Sequence, residues 1–355
     1  MIPRNQVIVG DVREVLATLP PASVDCIVTS PPYFALRNYG MANQMGQEAS
    51  VDHWVDELRL VARGLARVLR PTGSMWLNLG DSYSRHVRYG AAPKNLLLGP
   101  ERLVLELQAE GWVVRNKVVW AKTNPQPSSV ADRLTATWEV VYFLVRQRHY
   151  HFDLDAIRIP HRSRRALQSD RARASGNQQR PVAIPNGPPS WAGPLAGSNN
   201  GLARLKARGL AGHSLGKNPG DVWTLATAGF RDAHFAVFPE HLVEPPILAT
   251  CPERFCVSCG APWRKTSSTG QHPILLPSCT CRADWRPGLV LDPFVGSGTV
   301  GVVAERHRRD WLGIELNPAF ARLATKRIEA ARGRKEESRG FSGPDPEAES
   351  QPRAA

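Results

Sequence analysis

The chain has 355 residues, 42% hydrophobic content and a formal charge of +13. That length allows a large buried core, and no apolar run approaches the roughly 20 residues that span a bilayer. The charge favours a polyanionic partner. Met1-Ile2-Pro3-Arg4-Asn5, with no apolar signal core behind it, makes a cytoplasmic protein the expectation.

Val7-Ile8-Val9 reads as a short strand ending at Gly10-Asp11, followed by a helix from Val12 to Leu19. The apolar run Val24-Asp25-Cys26-Ile27-Val28 is the next strand, and Thr29-Ser30-Pro31-Pro32-Tyr33 follows it directly. After a polar loop, Trp54, Val55, Leu58, Val61, Ala62, Leu65 and Val68 repeat at the helical period. Pro71-Thr72-Gly73 is expected to end that helix ahead of a strand from Ser74 to Leu79. A helix from Glu101 to Glu110 stops at Gly111, and strands follow at Val113 to Trp120 and Trp138 to Val145.

From Arg158 to Gly220, eleven Lys/Arg stand against one acid, Asp170, among Gly, Pro, Asn and Ser. Such a stretch is not expected to pack its own core. Regular structure resumes at Asp221-Val222-Trp223. A cysteine-rich segment, Cys251 to Cys281, then precedes strand Leu289 to Leu291 and helix Val300 to Arg306. Strand Trp311 to Ile314 and helix Ala319 to Arg332 complete the pattern, and the charged tail beyond Arg334 is expected to be disordered. Strands alternating with helices imply a mainly parallel sheet covered on both faces.

Two motifs carry chemistry. Ser30-Pro31-Pro32-Tyr33 at a strand end has two fixed φ angles and two missing N–H donors, which leave stiff carbonyl acceptors beside a flat aromatic face. That suits the exocyclic amine of a nucleobase, although alone the run is equally a Pro-Pro turn. Asp292-Pro293-Phe294-Val295-Gly296-Ser297-Gly298-Thr299 joins a strand to a helix, and its glycines let backbone approach a ligand. Glu315 ends the next strand, where α/β folds hold ribose hydroxyls. No Lys follows the glycines, which disfavours a phosphate loop.

Together the two motifs resemble the S-adenosylmethionine-dependent DNA amino-methyltransferases, whose patterns are D-P-F-x-G-S-G-T and [D/N/S]-P-P-[Y/F/W]. The catalytic motif comes first, the order of the permuted β group. Gly10-Asp11, Asn78 to Ser82, Trp120-Ala121-Lys122, Asp132-Arg133 and His234 to Glu240 look like further family blocks. The resemblance covers roughly residues 5–155 and 220–332. It implies an α/β Rossmann-like methyltransferase fold with a circularly permuted, mainly parallel sheet.

The resemblance also implies site roles. Ser30 Oγ and the Pro31 carbonyl would accept the amine, Pro32 would stiffen the turn, and Tyr33 would stack on a base flipped from the duplex. Asp292 and the loop Gly296, Ser297, Gly298 and Thr299 would face the methionine part of S-adenosylmethionine, with Pro293 and Phe294 also in the cofactor site. Glu315 would take the ribose hydroxyls, Asp11 the adenine amine, and Phe238, Pro239 and Glu240 would close over the methionine end. Asp11 and Glu240 also suit plain helix-start roles. Cys26 lies within a strand, lacks the preceding proline of cytosine-C5 enzymes, and reads as a core residue.

Cys256-x-x-Cys259 and Cys279-x-Cys281 supply four thiols that suit a structural, tetrahedral Zn²⁺. Cys251 is a substitute ligand and His272 a weaker one. The chain order is then a catalytic half (1–157), a basic recognition insertion (158–220) and a return to the main domain (221–250). A zinc knuckle (251–285), a cofactor half (286–333) and a tail (334–355) complete it.

Arginines of the insertion would neutralise phosphates and Trp191 would stack or wedge. The expected partner is double-stranded DNA, with no membrane, a cognate restriction enzyme as a candidate partner, and a monomer or homodimer. Ser at the first catalytic position favours methylation at cytosine N4. Adenine N6 is the alternative, and a non-catalytic nucleic-acid-binding module or an RNA or protein methylase are the more distant ones.

Overall fold

The computed structural model describes residues 2–161, 213, 215–228, 238–266 and 274–339, with side chains to 333. Residues 162–212 with Trp191, 229–237 with His234, 267–273 with His272, and the tail from 340 lie outside the described residues. The chain forms two compact units, Met1–Asp153 with Asp221–Ala355, and Leu154–Gly220.

The larger unit is built on an eight-stranded sheet. Its strands are β1 (Gln6–Val9), β2 (Val24–Thr29), β3 (Leu69–Leu79), β4 (Val113–Lys122), β5 (Trp138–Val145), β6 (Val222–Leu225), β11 (Leu289–Asp292) and β12 (Asp310–Glu315). Their order across the sheet is β1-β12-β11-β2-β3-β5-β4-β6. The pairs from β1 through β3 are parallel, whereas β5 runs antiparallel to both β3 and β4. Parallel neighbours deliver the C-terminal ends of β1, β12, β11, β2 and β3 to one edge. The reversal of β5 brings its N-terminal residues to that same edge. This edge is where α/β sheets hold ligands.

The period-2 alternation of the strands divides the core. Ile27 of β2 and Val140, Tyr142 and Leu144 of β5 pack on one face, under α1 (Val12–Thr18), α2 (Val51–Val68) and α3 (Gly99–Ala109). Cys26, Val28, Val141, Phe143 and Val145 pack on the other. That face is covered by α4 (Glu240–Thr250), α5 (Thr299–Arg306) and α6 (Pro318–Arg339). Cys26 is 0% exposed, with Sγ 3.3 Å from Thr250 Oγ1, and burial pushes its thiol up to about 12. It is a core residue, as its position in the strand suggests.

Two local expectations are corrected. Pro71-Thr72-Gly73 does not separate helix from strand: α2 ends at Val68, and β3 already begins at Leu69. The register jumps from Val24↔Leu69 to Cys26↔Ser74, so a bulge absorbs the proline, which has no N–H for the ladder. A Cβ on Gly73 would come within 2.7 Å of the Asp25 carbonyl oxygen, which explains the glycine. At the other end of the chain, the expected disordered tail is helical as far as Arg339.

Among the described residues, four two-residue strands also belong to this unit. β7 (Phe255–Cys256) pairs with β10 (Trp285–Arg286), and β8 (Arg264–Lys265) pairs with β9 (Leu275–Leu276). In the smaller unit, Ile159 and Lys217 exchange backbone hydrogen bonds of 3.0 and 2.9 Å. Among the described residues, no helix is long and apolar enough to cross a membrane.

Candidate active site

The strand ends at the ligand edge are tied together before any ligand arrives. Thr29 Oγ1, at the end of β2, donates to Asp292 Oδ1 at the end of β11 across 2.8 Å. The same oxygen accepts the Phe294 N–H at 3.1 Å. Both side chains are almost fully buried. Burial pushes the Asp292 carboxyl up from its ordinary 3.8 to about 7, despite the hydrogen bonds from Thr29 and Phe294; Glu315 adds to the rise.

Beyond Asp292 the chain turns through Gly296 and Gly298, at φ +49° and +80°. A Cβ on Gly298 would press within 3.1 Å of Ala324 on α6, so the loop lies close against that helix. Glu315 braces the loop from the other side: Oε2 accepts the Gly296 N–H and Oε1 the Asn317 N–H, each at 3.0 Å. Beneath the loop, Arg327 Nη1 donates to the Ser297 carbonyl (3.1 Å), Ser297 Oγ (3.1 Å) and Thr299 Oγ1 (2.9 Å). Arg327 is held in turn by Glu240 Oε1 at 3.2 Å, and Glu240 also pairs with Arg306.

A cavity lies over this loop. Asp11, Ser30, Pro32, Phe238, Pro293, Phe294, Gly296, Ser297, Thr299 and Glu315 line it. Asp11 also caps α1, accepting the Arg13 N–H at 2.8 Å, and its carboxylate is held low by Arg13. A second cavity is lined by Tyr33, Asn78, Gly80, Lys122 and Glu139. Ser30 and Phe238 belong to both linings, so the two cavities are neighbours that share these residues.

Pro31, Pro239, Glu240, Asp292 and Gly298 line neither cavity. Pro239 is the N-cap of α4, and Glu240 and Asp292 serve as braces for the loop and the strand ends.

Sequence reasoning missed other parts of the walls. Tyr39, Met41, Gln44 and Met45, from the polar loop after Tyr33, join Phe320 of α6 around the first cavity. Tyr39 and Phe320 meet edge to face, with centroids 6.4 Å apart. Their signal is that Tyr39, Met41 and Met45 are the large apolar side chains of the mostly polar stretch from Arg37 to Ser50. In the second cavity Tyr33 Oη lies 3.0 Å from Ser30 Oγ and 2.7 Å from Glu139 Oε2, and Lys122 Nζ lies 2.5 Å from Glu139 Oε1. Glu139 had only one signal, an acid at the start of the apolar run Trp138-Glu139-Val140-Val141. On the neighbouring turn, Trp54 Nε1 donates to the Pro32 carbonyl at 2.9 Å.

Away from this edge, the Sγ atoms of Cys256, Cys259, Cys279 and Cys281 all lie within 4.8 Å of one another. A tetrahedral Zn–S bond of about 2.3 Å puts sulfurs about 3.8 Å apart, so the set fits such an ion with small adjustment. Cys251 is not part of it: the residue is 0% exposed in the core at the end of α4.

Two cavities that share Ser30 and Phe238, on the ligand edge of a mainly parallel sheet, suit an enzyme that brings two reactants together. The sequence model of the DNA methylase family, N6_N4_Mtase, matches residues 24–326, and the chain belongs to that family. It is 31% identical to the Type II methyltransferase M.Cfr9I of Citrobacter freundii over 342 residues, covering 90% of this chain and 86% of that protein.

Two solved structures share the fold. The PvuII DNA methyltransferase (cytosine-N4-specific) has a TM-score of 0.55 at 17% identity, covering 94% and 93% of the two chains. TTHA0409 of Thermus thermophilus, complexed with S-adenosyl-L-methionine, has a TM-score of 0.50 at 21% identity, covering 92% and 96%.

The buried Asp292 gives a pH signature. Its folded-state affinity for a proton exceeds the unfolded one, so the folded chain loses stability as pH rises from about 4 through about 7. Asp292→Asn keeps an acceptor oxygen for Thr29 and Phe294 and removes the charge. Urea melts should find the variant gaining on the wild type by on the order of 2–4 kcal/mol between pH 4 and pH 8. A difference that does not change with pH would contradict the raised carboxyl.

Proposed function

We propose that this chain transfers the methyl group of S-adenosylmethionine to the exocyclic N4 amine of cytosine in DNA. The observation that carries the reading is the position of Ser30, a residue that lines both cavities. A donor in the first cavity and a base in the second would be neighbours across Ser30 and Phe238, and of these two only Ser30 has a side chain that accepts a hydrogen bond. The order of the motifs, with β2 ahead of β11 in the chain, is read as the permuted form of the fold.

The amine is a poor nucleophile because its lone pair is delocalised into the ring. Ser30 Oγ accepts one of its N–H bonds and aims the nitrogen at the sulfonium methyl; the Pro31 carbonyl, the second acceptor that the motif offers, belongs to a residue that lines neither cavity. The reaction is accelerated by positioning and electrostatics rather than by a covalent enzyme intermediate. A nitrogen–carbon bond forms as the sulfur–carbon bond breaks. S-adenosylhomocysteine leaves, and the amine sheds one proton to solvent.

The base reaches the second cavity only after leaving the duplex, with Tyr33 at its side. On the donor side, Glu315 takes the ribose hydroxyls, Asp11 the adenine amine, and the loop from Pro293 to Thr299 the methionine end. Tyr39 and Phe320 supply the apolar walls. The chain's charge of +13 suits the DNA backbone.

The base assignment rests on serine at position 30 and agrees with the cytosine-N4 specificity of the PvuII enzyme, which shares the fold. Genomic DNA methylated by the pure protein, digested to nucleosides and analysed by mass, should contain N4-methylcytosine. N6-methyladenine alone would move the enzyme to the adenine class, and neither base would remove the reading.

The cysteine cluster is proposed to hold one structural Zn²⁺ through Cys256, Cys259, Cys279 and Cys281, stapling the segment between α4 and β11. Protein purified without added metal should carry about one equivalent of zinc by elemental analysis. Cys259→Ser with Cys281→Ser should lose the metal and lower the melting temperature. Metal-free protein with an unchanged melt would contradict the site.

A further inference from the structure

We infer that Glu139 is a positioning residue that fixes the direction of the hydrogen-bond chain ending at Ser30, so that Oγ meets the base amine as an acceptor. The inference rests on the proposed role of Ser30. It concerns a residue that neither motif contains.

Glu139 lies at the start of β5 on the ligand edge, opposite Trp120 of β4. Its Oε1 takes the Lys122 ammonium at 2.5 Å, and both side chains are largely shielded, at 15% and 19% exposure. Lys122 therefore neutralises the charge that Glu139 brings into the cavity wall. Oε2 faces inward, 2.7 Å from Tyr33 Oη and 3.1 Å from Asn78 Nδ2.

The orientation of Asn78 is fixed by its neighbours. Its nitrogen also donates to the Val140 carbonyl at 3.0 Å, and neither that oxygen nor a carboxylate can donate back. Asn78 Oδ1 consequently points at Tyr33 Oη, at 3.3 Å.

Tyr33 has one hydroxyl proton and three oxygens around it: Glu139 Oε2, Asn78 Oδ1, and Ser30 Oγ at 3.0 Å. The carboxylate is the nearest and the only charged acceptor, and charge-assisted hydrogen bonds are about twice as strong as neutral ones. Burial and the Glu139 charge also hold the phenol well above its ordinary pKa, so it stays a donor. The proton of Tyr33 goes to Glu139, and Tyr33 meets Ser30 with a lone pair. The Ser30 proton then points at Tyr33, which leaves the Ser30 lone pairs to accept from a base amine. A delocalised amine offers only N–H bonds there, so a serine with its proton turned outward would oppose the base instead of orienting it.

Glu139→Gln tests the direction with almost no change of shape. Lys122 draws the amide oxygen to its side, which turns the amide nitrogen towards Tyr33 and reverses the chain. Single-turnover methyl transfer to unmethylated genomic DNA should fall at least about tenfold, while S-adenosylmethionine and DNA affinities stay within about twofold of wild type. Tyr33→Phe should also be slow, and the double variant no slower than Tyr33→Phe alone, because the two changes cut one chain.

A wild-type rate in either single variant, or penalties that multiply, would overturn the inference. Should Glu139→Gln fail to bind S-adenosylmethionine, Tyr33→Phe decides alone, with a wild-type rate overturning the relay. Wild-type protein that methylates no DNA amine at all would instead defeat the reading of Ser30.

Discussion

One hydrogen bond, from Thr29 to Asp292, joins residues 263 positions apart and sets the geometry on which the site depends. It ties the end of the strand carrying Ser30 to the end of the strand carrying the glycine loop. The two strands are parallel neighbours, in register at Ile27↔Leu291, so both motifs leave the sheet at the same level. A buried carboxyl is an expensive way to make such a tie, and its raised proton affinity is the consequence. The tie holds the two strand ends side by side, and with them Ser30 and the glycine loop.

The rest of the site is braced in the same way, by groups that stand behind the walls. Arg327 reaches from α6 to the underside of the glycine loop, and Glu240 at the start of α4 holds Arg327. The loop is thereby linked to two helices on one face of the sheet. On the other face, Trp54 of α2 holds the Pro32 carbonyl. The turn that carries Ser30 is thus clamped from the side opposite to the loop. Preorganisation of this kind suits a reaction accelerated by placement rather than by a strong acid or base.

The two motifs were legible because each is a local device: a strand, a turn of fixed backbone preference, and a helix or loop. The sheet itself was legible from runs such as Val24 to Val28 and Trp138 to Val145, whose alternation the two core faces follow. Roles that depend on tertiary pairing were not. Asp292 and Glu240 belong to recognisable motifs, yet they brace the site from outside the cavities, which only their partners Thr29 and Arg327 reveal.

Glu139 was invisible for a related reason. Its strand runs against its neighbours, so the ligand edge falls at its start, whereas every other contributing strand of the central sheet meets that edge at its end. Pro71-Thr72-Gly73 misled because proline and glycine mark a helix stop and a strand bulge alike.

The central claim is that methyl transfer passes at the Ser30 hydroxyl. The most direct measurement is single-turnover transfer by Ser30→Ala, with S-adenosylmethionine affinity measured on the same protein. The account predicts a rate lower by about 100-fold or more, with cofactor affinity within about twofold of wild type. Transfer at the wild-type rate would contradict it.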